Sequence, residues 1–78
     1  MSQRESWIMF EIAERKPKTN VWNVLTKDGQ SLLGKVAWFG RWRRYAFFPE
    51  EATVFEHQCL DDIRAFLVTE TIDQRRKP

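Results

Sequence analysis

Seventy-eight residues make one small domain, in a size range where roughly 60 to 65% of the unfolded chain's surface is buried, so a large enclosed catalytic cavity is not expected. With 42% apolar and 31% charged residues and only three Gly and three Pro, the composition is not that of a disordered, collagen-like or membrane-spanning chain. The formal net charge of +2 hides an uneven layout: residues 1–14 carry −2, 15–44 carry +7, 45–73 carry −6 and 74–78 carry +3.

Met1 to Trp7 lacks the apolar core and small-residue cleavage site of a signal peptide, and no run approaches the roughly 20 apolar residues of a spanning helix. Cys59 is the single cysteine, which excludes an internal disulfide and fits a reducing compartment; the expected location is cytoplasmic. Trp7 to Ile12 sets Ile8, Phe10 and Ile12 on one side of a first strand. Arg15 to Asn20 interrupts it, because proline fixes φ and lacks an N–H in Lys16-Pro17-Lys18. Val21 to Lys27 is extended again, and Asp28-Gly29 marks a turn. Leu32 to Phe39 and Trp42 to Phe48 follow, joined at Gly40-Arg41, where glycine suits the first central position of a two-residue type II′ hairpin; Pro49 ends the run. The period then changes. Cys59, Leu60, Ile63, Phe66 and Leu67 recur at helical spacing, predicting an amphipathic helix from about His57 to Thr69. Glu56 is its candidate N-cap, with Phe55 and Leu60 as a hydrophobic staple. Residues 71–78 have no apolar stripe and are expected to fray as a basic tail, leaving 1–70 as a single domain.

The resulting fold class is α+β: an antiparallel meander of three to four strands with one C-terminal amphipathic helix packed on one face. A Gly40-Arg41 loop sets Trp38 opposite Arg43, Val36 opposite Tyr45 and Gly34 opposite Phe47. Gly34 would leave room for an aromatic ring. A three-residue Asp28 to Gln30 loop aligns Trp22 with Val36 and Val24 with Gly34, so the helix covers Trp22, Val24, Val36, Tyr45 and Phe47. The other face, carrying Leu33, Lys35, Ala37, Phe39, Trp42, Arg44, Ala46 and Phe48, is mixed and expected to be wet.

Catalytic motifs are lacking. One His and one Cys are too few for a structural zinc site, and His57 and Cys59, two apart on a helix, do not meet as base and nucleophile. Gly29, Gly34 and Gly40 form no phosphate loop. No enzyme activity, metal or cofactor is expected. The distinctive stretch is Trp38 to Tyr45, where Arg41, Arg43 and Arg44 interleave with four aromatic residues. Arginine binds phosphate bidentately and aromatic rings stack on bases, so the hairpin is a candidate nucleic-acid site, with Lys16, Lys18, Lys35, Arg41, Trp42, Arg43 and Arg44 as its binding residues. The competing expectation is that Trp38, Trp42 and Tyr45 are packing residues over which the arginines lie.

Leu33-Gly34-x-Val36-x-Trp38, then Trp42-Arg43-x-Tyr45-x-Phe47-x-Pro49, then Thr53-Val54-Phe55 and Cys59-Leu60-x-x-Ile63-x-x-Phe66-Leu67 resemble a family of small uncharacterised phage and prophage proteins. The resemblance implies a mobile-element origin, a bacterial host cytoplasm and no established activity. A nucleic-acid-binding accessory protein is the first expectation. A protein inhibitor of a host defence complex, similar in kind to anti-CRISPR proteins, and a homodimer burying the mixed face are the alternatives. No membrane partner is expected.

Overall fold

The computed structural model describes residues 7–77; the expectations for the first six residues and for Pro78 lie outside that range. Four strands, β1 (Ile8–Arg15), β2 (Asn20–Thr26), β3 (Leu32–Phe39) and β4 (Arg44–Pro49), form one antiparallel sheet in chain order, and helix α1 (His57–Arg76) closes the chain. The fold class read from the sequence is the one observed.

Alternation decides which face is buried. Trp22 pairs with Val36 and Val24 with Gly34, as the parity at Asp28-Gly29 requires, and Val24 and Val36 are fully buried beneath α1. The connection is longer than three residues. The Thr26 N–H donates to the Ser31 carbonyl, the ladder shifts by one between Val24 and Leu25, and that irregularity brings Leu33 to the core side. Asp28 closes the turn by accepting from the Thr26 hydroxyl at 2.6 Å and the Gln30 N–H at 3.0 Å.

The β3–β4 hairpin differs from expectation. Trp38 pairs with Tyr45, Val36 with Phe47 and Gly34 with Pro49, a shift of two residues that keeps these side chains on their expected face. Gly40 to Arg43 all lie in the loop, and the left-handed backbone falls on Arg43 (φ 54°), not on Gly40. A longer loop turns the chain with one left-handed residue at its end, so no type II′ glycine is needed. The Phe47 ring still covers Gly34, now from a diagonal position: a Cβ there would stand 2.6 Å from Phe47 Cε1 and 2.6 Å from the Phe48 carbonyl oxygen.

Ile8, Trp22, Val24, Val36, Tyr45 and Ile63 make the core, with Phe10, Phe47, Phe55, Cys59, Phe66 and Leu67 around it. Phe66 joins helix to sheet, stacked on Phe10 at 4.0 Å and edge-on to Trp22 at 5.0 Å. Glu56 is the N-cap: its Oε1 accepts from the Cys59 N–H at 2.7 Å, and that bond is the main reason its carboxyl titrates below the usual range. Phe55 meets Phe47 edge-on at 5.3 Å, while Leu60, its proposed staple partner, is half exposed. Burial pushes the Cys59 thiol up, as suits a packing residue.

The helix does not stop at Thr69. Residues 71–76, expected to fray, are its last turns, held to the sheet where Thr71 Oγ1 accepts from the Tyr45 N–H at 3.0 Å and Gln74 Oε1 from the Tyr45 hydroxyl at 3.4 Å. Tyr45 Oη in turn accepts from the Asn20 N–H at 3.2 Å. The Tyr45 side chain thus ties β2, β4 and α1 together, while Thr71 gives the N–H of Tyr45 on edge strand β4 its partner. Among the described residues no helix is long and apolar enough to cross a membrane.

Candidate functional site

Topology collects the cations. In a meander alternate connections fall at the same end of the sheet, so the β1–β2 loop lies beside the β3–β4 loop. Helix α1 returns antiparallel to β4 and brings its C-terminus to that end as well. Arg15, Lys16, Lys18, Arg41, Arg43, Arg44, Arg75, Arg76 and Lys77, nine of the 13 Lys and Arg residues, are therefore gathered there. The opposite end receives Asp28, Glu50, Glu51, Glu56, Asp61 and Asp62. Most of the positive block and the basic tail thus gather at one end, which also holds Glu14 and Asp73, and most of the acidic block gathers at the other, beside Lys27.

At the basic pole Lys18, Thr19, Trp38, Arg43, Gln74, Arg75 and Lys77 line a groove of about 610 Å³. Four cations, an amide, a hydroxyl and an indole supply positive charge, hydrogen-bond donors and one flat apolar wall. Arg75 Nε donates to the Arg43 carbonyl at 3.0 Å, locking the helix end to the hairpin. The basic last turn also suits the negative end of the helix dipole. Glu70 stands further back on the helix, its carboxyl raised by burial and by the Asp73 charge and drawn back by Lys77.

The seven residues singled out from the sequence divide into separate groups. Lys18 and Arg43 enter the groove, Lys16 lies in the adjoining loop and Arg41 is exposed at the hairpin tip. Lys35 and Arg44 belong to the sheet face turned away from the helix, opposite Phe48 and Phe39 respectively. Trp42 joins them: its ring lies 4.6 Å from Phe39, which in turn is 6.5 Å from Phe48. Trp42 is 61% exposed and Phe48 44%. Arg44 Nε donates to the Trp42 carbonyl at 3.3 Å, and Arg44 also borders a second groove, of about 370 Å³, between β4 and α1. Among the described residues no carboxylate oxygen lies within 4.0 Å of the charged nitrogens of Lys18, Lys35, Arg41, Arg43, Arg44 or Arg75.

The four aromatic residues of the hairpin divide as well. Trp38 and Tyr45 meet edge-on at 5.2 Å on the helix side, which is the packing role, whereas Phe39 and Trp42 form a cluster on the open side. Arg75 to Lys77 were legible in the sequence only as a frayed tail that could add phosphate contacts; the structure places Arg75 and Lys77 on an ordered helix end, with Thr19, Trp38 and Gln74 as further lining residues. The available signal was the lack of any glycine or proline between Thr69 and Pro78 to end the helix.

Taken together, the molecule is a small α+β domain, a four-stranded meander under one helix, with a basic end and an open aromatic face. It belongs to the family of an uncharacterised 9.3 kDa protein of Acholeplasma phage L2, with which it shares 32% identity over 60 residues, 77% of this chain and 76% of the phage protein. No family model matches the chain, and no solved structure does.

Proposed function

We propose that this chain is a non-enzymatic phage accessory protein that binds nucleic acid, gripping the phosphate backbone with its basic pole. The observation that carries this reading is the convergence of two loops and a helix end, remote in sequence, on one groove whose lining holds four cations and, among the described residues, no carboxylate. Guanidinium and ammonium groups displace condensed counterions from phosphates, so affinity at such a surface falls steeply with salt, by a slope of roughly 0.7 per contacted phosphate on a single strand and 0.9 on a duplex. Lys16 and Lys18 extend the surface on one side, and Arg41 and Arg44 on the other. Most of the residues that carry the resemblance read from Leu33 to Leu67 lie in or against the core, so they read as scaffold and not as contact residues.

The test is electrophoretic mobility of labelled oligonucleotides, single-stranded and duplex, with wild type and with Lys18→Glu/Arg43→Glu. Retardation at low salt that disappears on charge reversal supports the proposal; no retardation of any oligonucleotide at low salt refutes it.

A second reading has its own observation. The groove between β4 and α1 exposes Val68 and Ile72 beside Arg44, Arg64 and Arg75, a surface suited to an acidic, partly apolar protein segment. An inhibitor of a host protein would use it, and capture of one stoichiometric protein that Ile72→Asp abolishes would favour that reading.

A further inference from the structure

Among the described residues no second layer covers the face of the sheet opposite α1, and at its β3–β4 end that face is aromatic and cationic. Phe39, Trp42 and Phe48 form one cluster there, with ring centroids 4.6 and 6.5 Å apart along the Phe39 links. Lys35 pairs across the strands with Phe48, and Arg44 with Phe39, so each strand aromatic residue of the cluster has a cation beside it. β1 places two acids on this face, Glu11 in the same cross-strand row as Asn23 and Lys35 and Glu14 opposite Val21, both on the far edge strand, two strands away from β3. Among the described residues the Arg44 guanidinium donates only to the Trp42 carbonyl, through Nε, which leaves its other donors for a phosphate.

We infer that this face is a base-stacking platform and that the ligand is single-stranded nucleic acid. The inference rests on the nucleic-acid reading above and narrows it. Exposed rings offer π-faces that unpaired bases occupy without sequence preference, and cations next to the rings hold the connecting phosphates. In a duplex the base faces are already stacked on one another. Nor does the sheet fit the groove: four strands span roughly 14 Å at their usual spacing, before side chains are added, against a major groove about 12 Å wide that admits a two-stranded ribbon. The platform is continuous with the basic pole through Arg44 and Trp42, so a strand leaving the groove at Arg43 meets the rings next.

Fluorescence anisotropy of the full chain with a labelled oligothymidylate and with a mixed-sequence duplex of the same length tests this, alongside the quenching of protein tryptophan emission. The expected result is tighter binding of the single strand by about tenfold or more, with quenching that Trp42→Phe removes. Trp42→Ala and Phe48→Ala should each weaken the single strand by about 5- to 100-fold while leaving the salt slope unchanged. Duplex binding equal to or tighter than single-strand binding, or Trp42→Ala within twofold of wild type, overturns the inference and leaves the nucleic-acid reading standing. A dimer in sedimentation that Trp42→Ala dissociates also overturns it, because the face then belongs to a second copy. Failure of both oligonucleotides to bind at low salt overturns both proposals. Trp42 is surface-exposed and outside the core, and Trp42→Phe gives its quenching readout even if the alanine variant is lost to misfolding.

Discussion

Replacing Gly34 by alanine adds one methyl group at the most crowded point of the sheet. Its Cβ would stand 2.6 Å from the Phe48 carbonyl oxygen, 2.6 Å from Phe47 Cε1 and 2.8 Å from Phe47 Cζ, whereas unstrained carbon contacts begin near 3.5 Å. The ring cannot simply swing aside, since Phe55 packs edge-on against it at 5.3 Å, and the carbonyl belongs to the neighbouring strand. Overpacking of this kind costs about 1–3 kcal/mol, of which the stiffer unfolded chain returns about 0.4–1 kcal/mol. A net loss of about 1–2 kcal/mol should lower Tm by roughly 5–15 °C in a domain of this length. Thermal unfolding followed by circular dichroism measures it, with Gly40→Ala as control because a Cβ there meets nothing within 4 Å. Phe47→Leu in the same chain should recover part of the Gly34→Ala loss, the carbonyl contact remaining. A Tm for Gly34→Ala equal to or above wild type would mean that Phe47 does not lie over Gly34, and the β3–β4 register would be wrong.

Tyr45 is the only tyrosine, so alkaline absorbance titration reads it directly: burial, and to a smaller extent the Glu70 charge, raise its pKa, opposed by the Asn20 N–H. The neutral phenol is therefore favoured in the fold. Its contribution is complete below the unfolded pKa near 10 and lost as pH rises through the higher folded value, and a folded chain titrating at or below 10 would contradict the packing. Tyr45→Phe should cost about 1 kcal/mol in urea unfolding by removing the partner of the Asn20 N–H. Arg43→Gly should act in opposite directions, raising stability by about 1 kcal/mol through relief of the left-handed backbone while weakening oligonucleotide binding; parallel changes in Tm and affinity would argue against Arg43 as a contact residue. Glu56 has a lowered carboxyl pKa, so its cap is intact above the unfolded value near 4.3 and is lost as pH falls through the folded one. Glu56→Gln should flatten the Tm profile in that acid window, and an unchanged profile would remove the cap from the account.

The sequence carried faces better than loops. Trp22, Val24, Val36, Tyr45 and Phe47 could be assigned to the helix side because, of the two parities open at Asp28-Gly29, the one with a three-residue loop gathers the apolar residues on one face. Two- and four-residue loops at Gly40 share that parity, so the register of β4 was not legible; Arg43, a residue without special preference for positive φ, takes the left-handed position. The helix start was readable from the apolar period, and Glu56 caps it. Its end was not, because Thr71 and Gln74 are held by Tyr45 and not by an apolar stripe. That misplaced end hid the geometry of the candidate site: the +3 tail reads in the sequence as loose phosphate contacts or solvated charge, yet Arg75 and Lys77 line one groove with Lys18 and Arg43.

Amide chemical-shift perturbation on titration with an oligonucleotide locates the binding surface residue by residue. Shifts concentrated at residues 16–19, 40–44 and 74–77, reversing as salt is added, are the result expected of a basic pole that holds phosphate. Shifts confined to residues 50–62 at the acidic pole, or none at low salt, would contradict it.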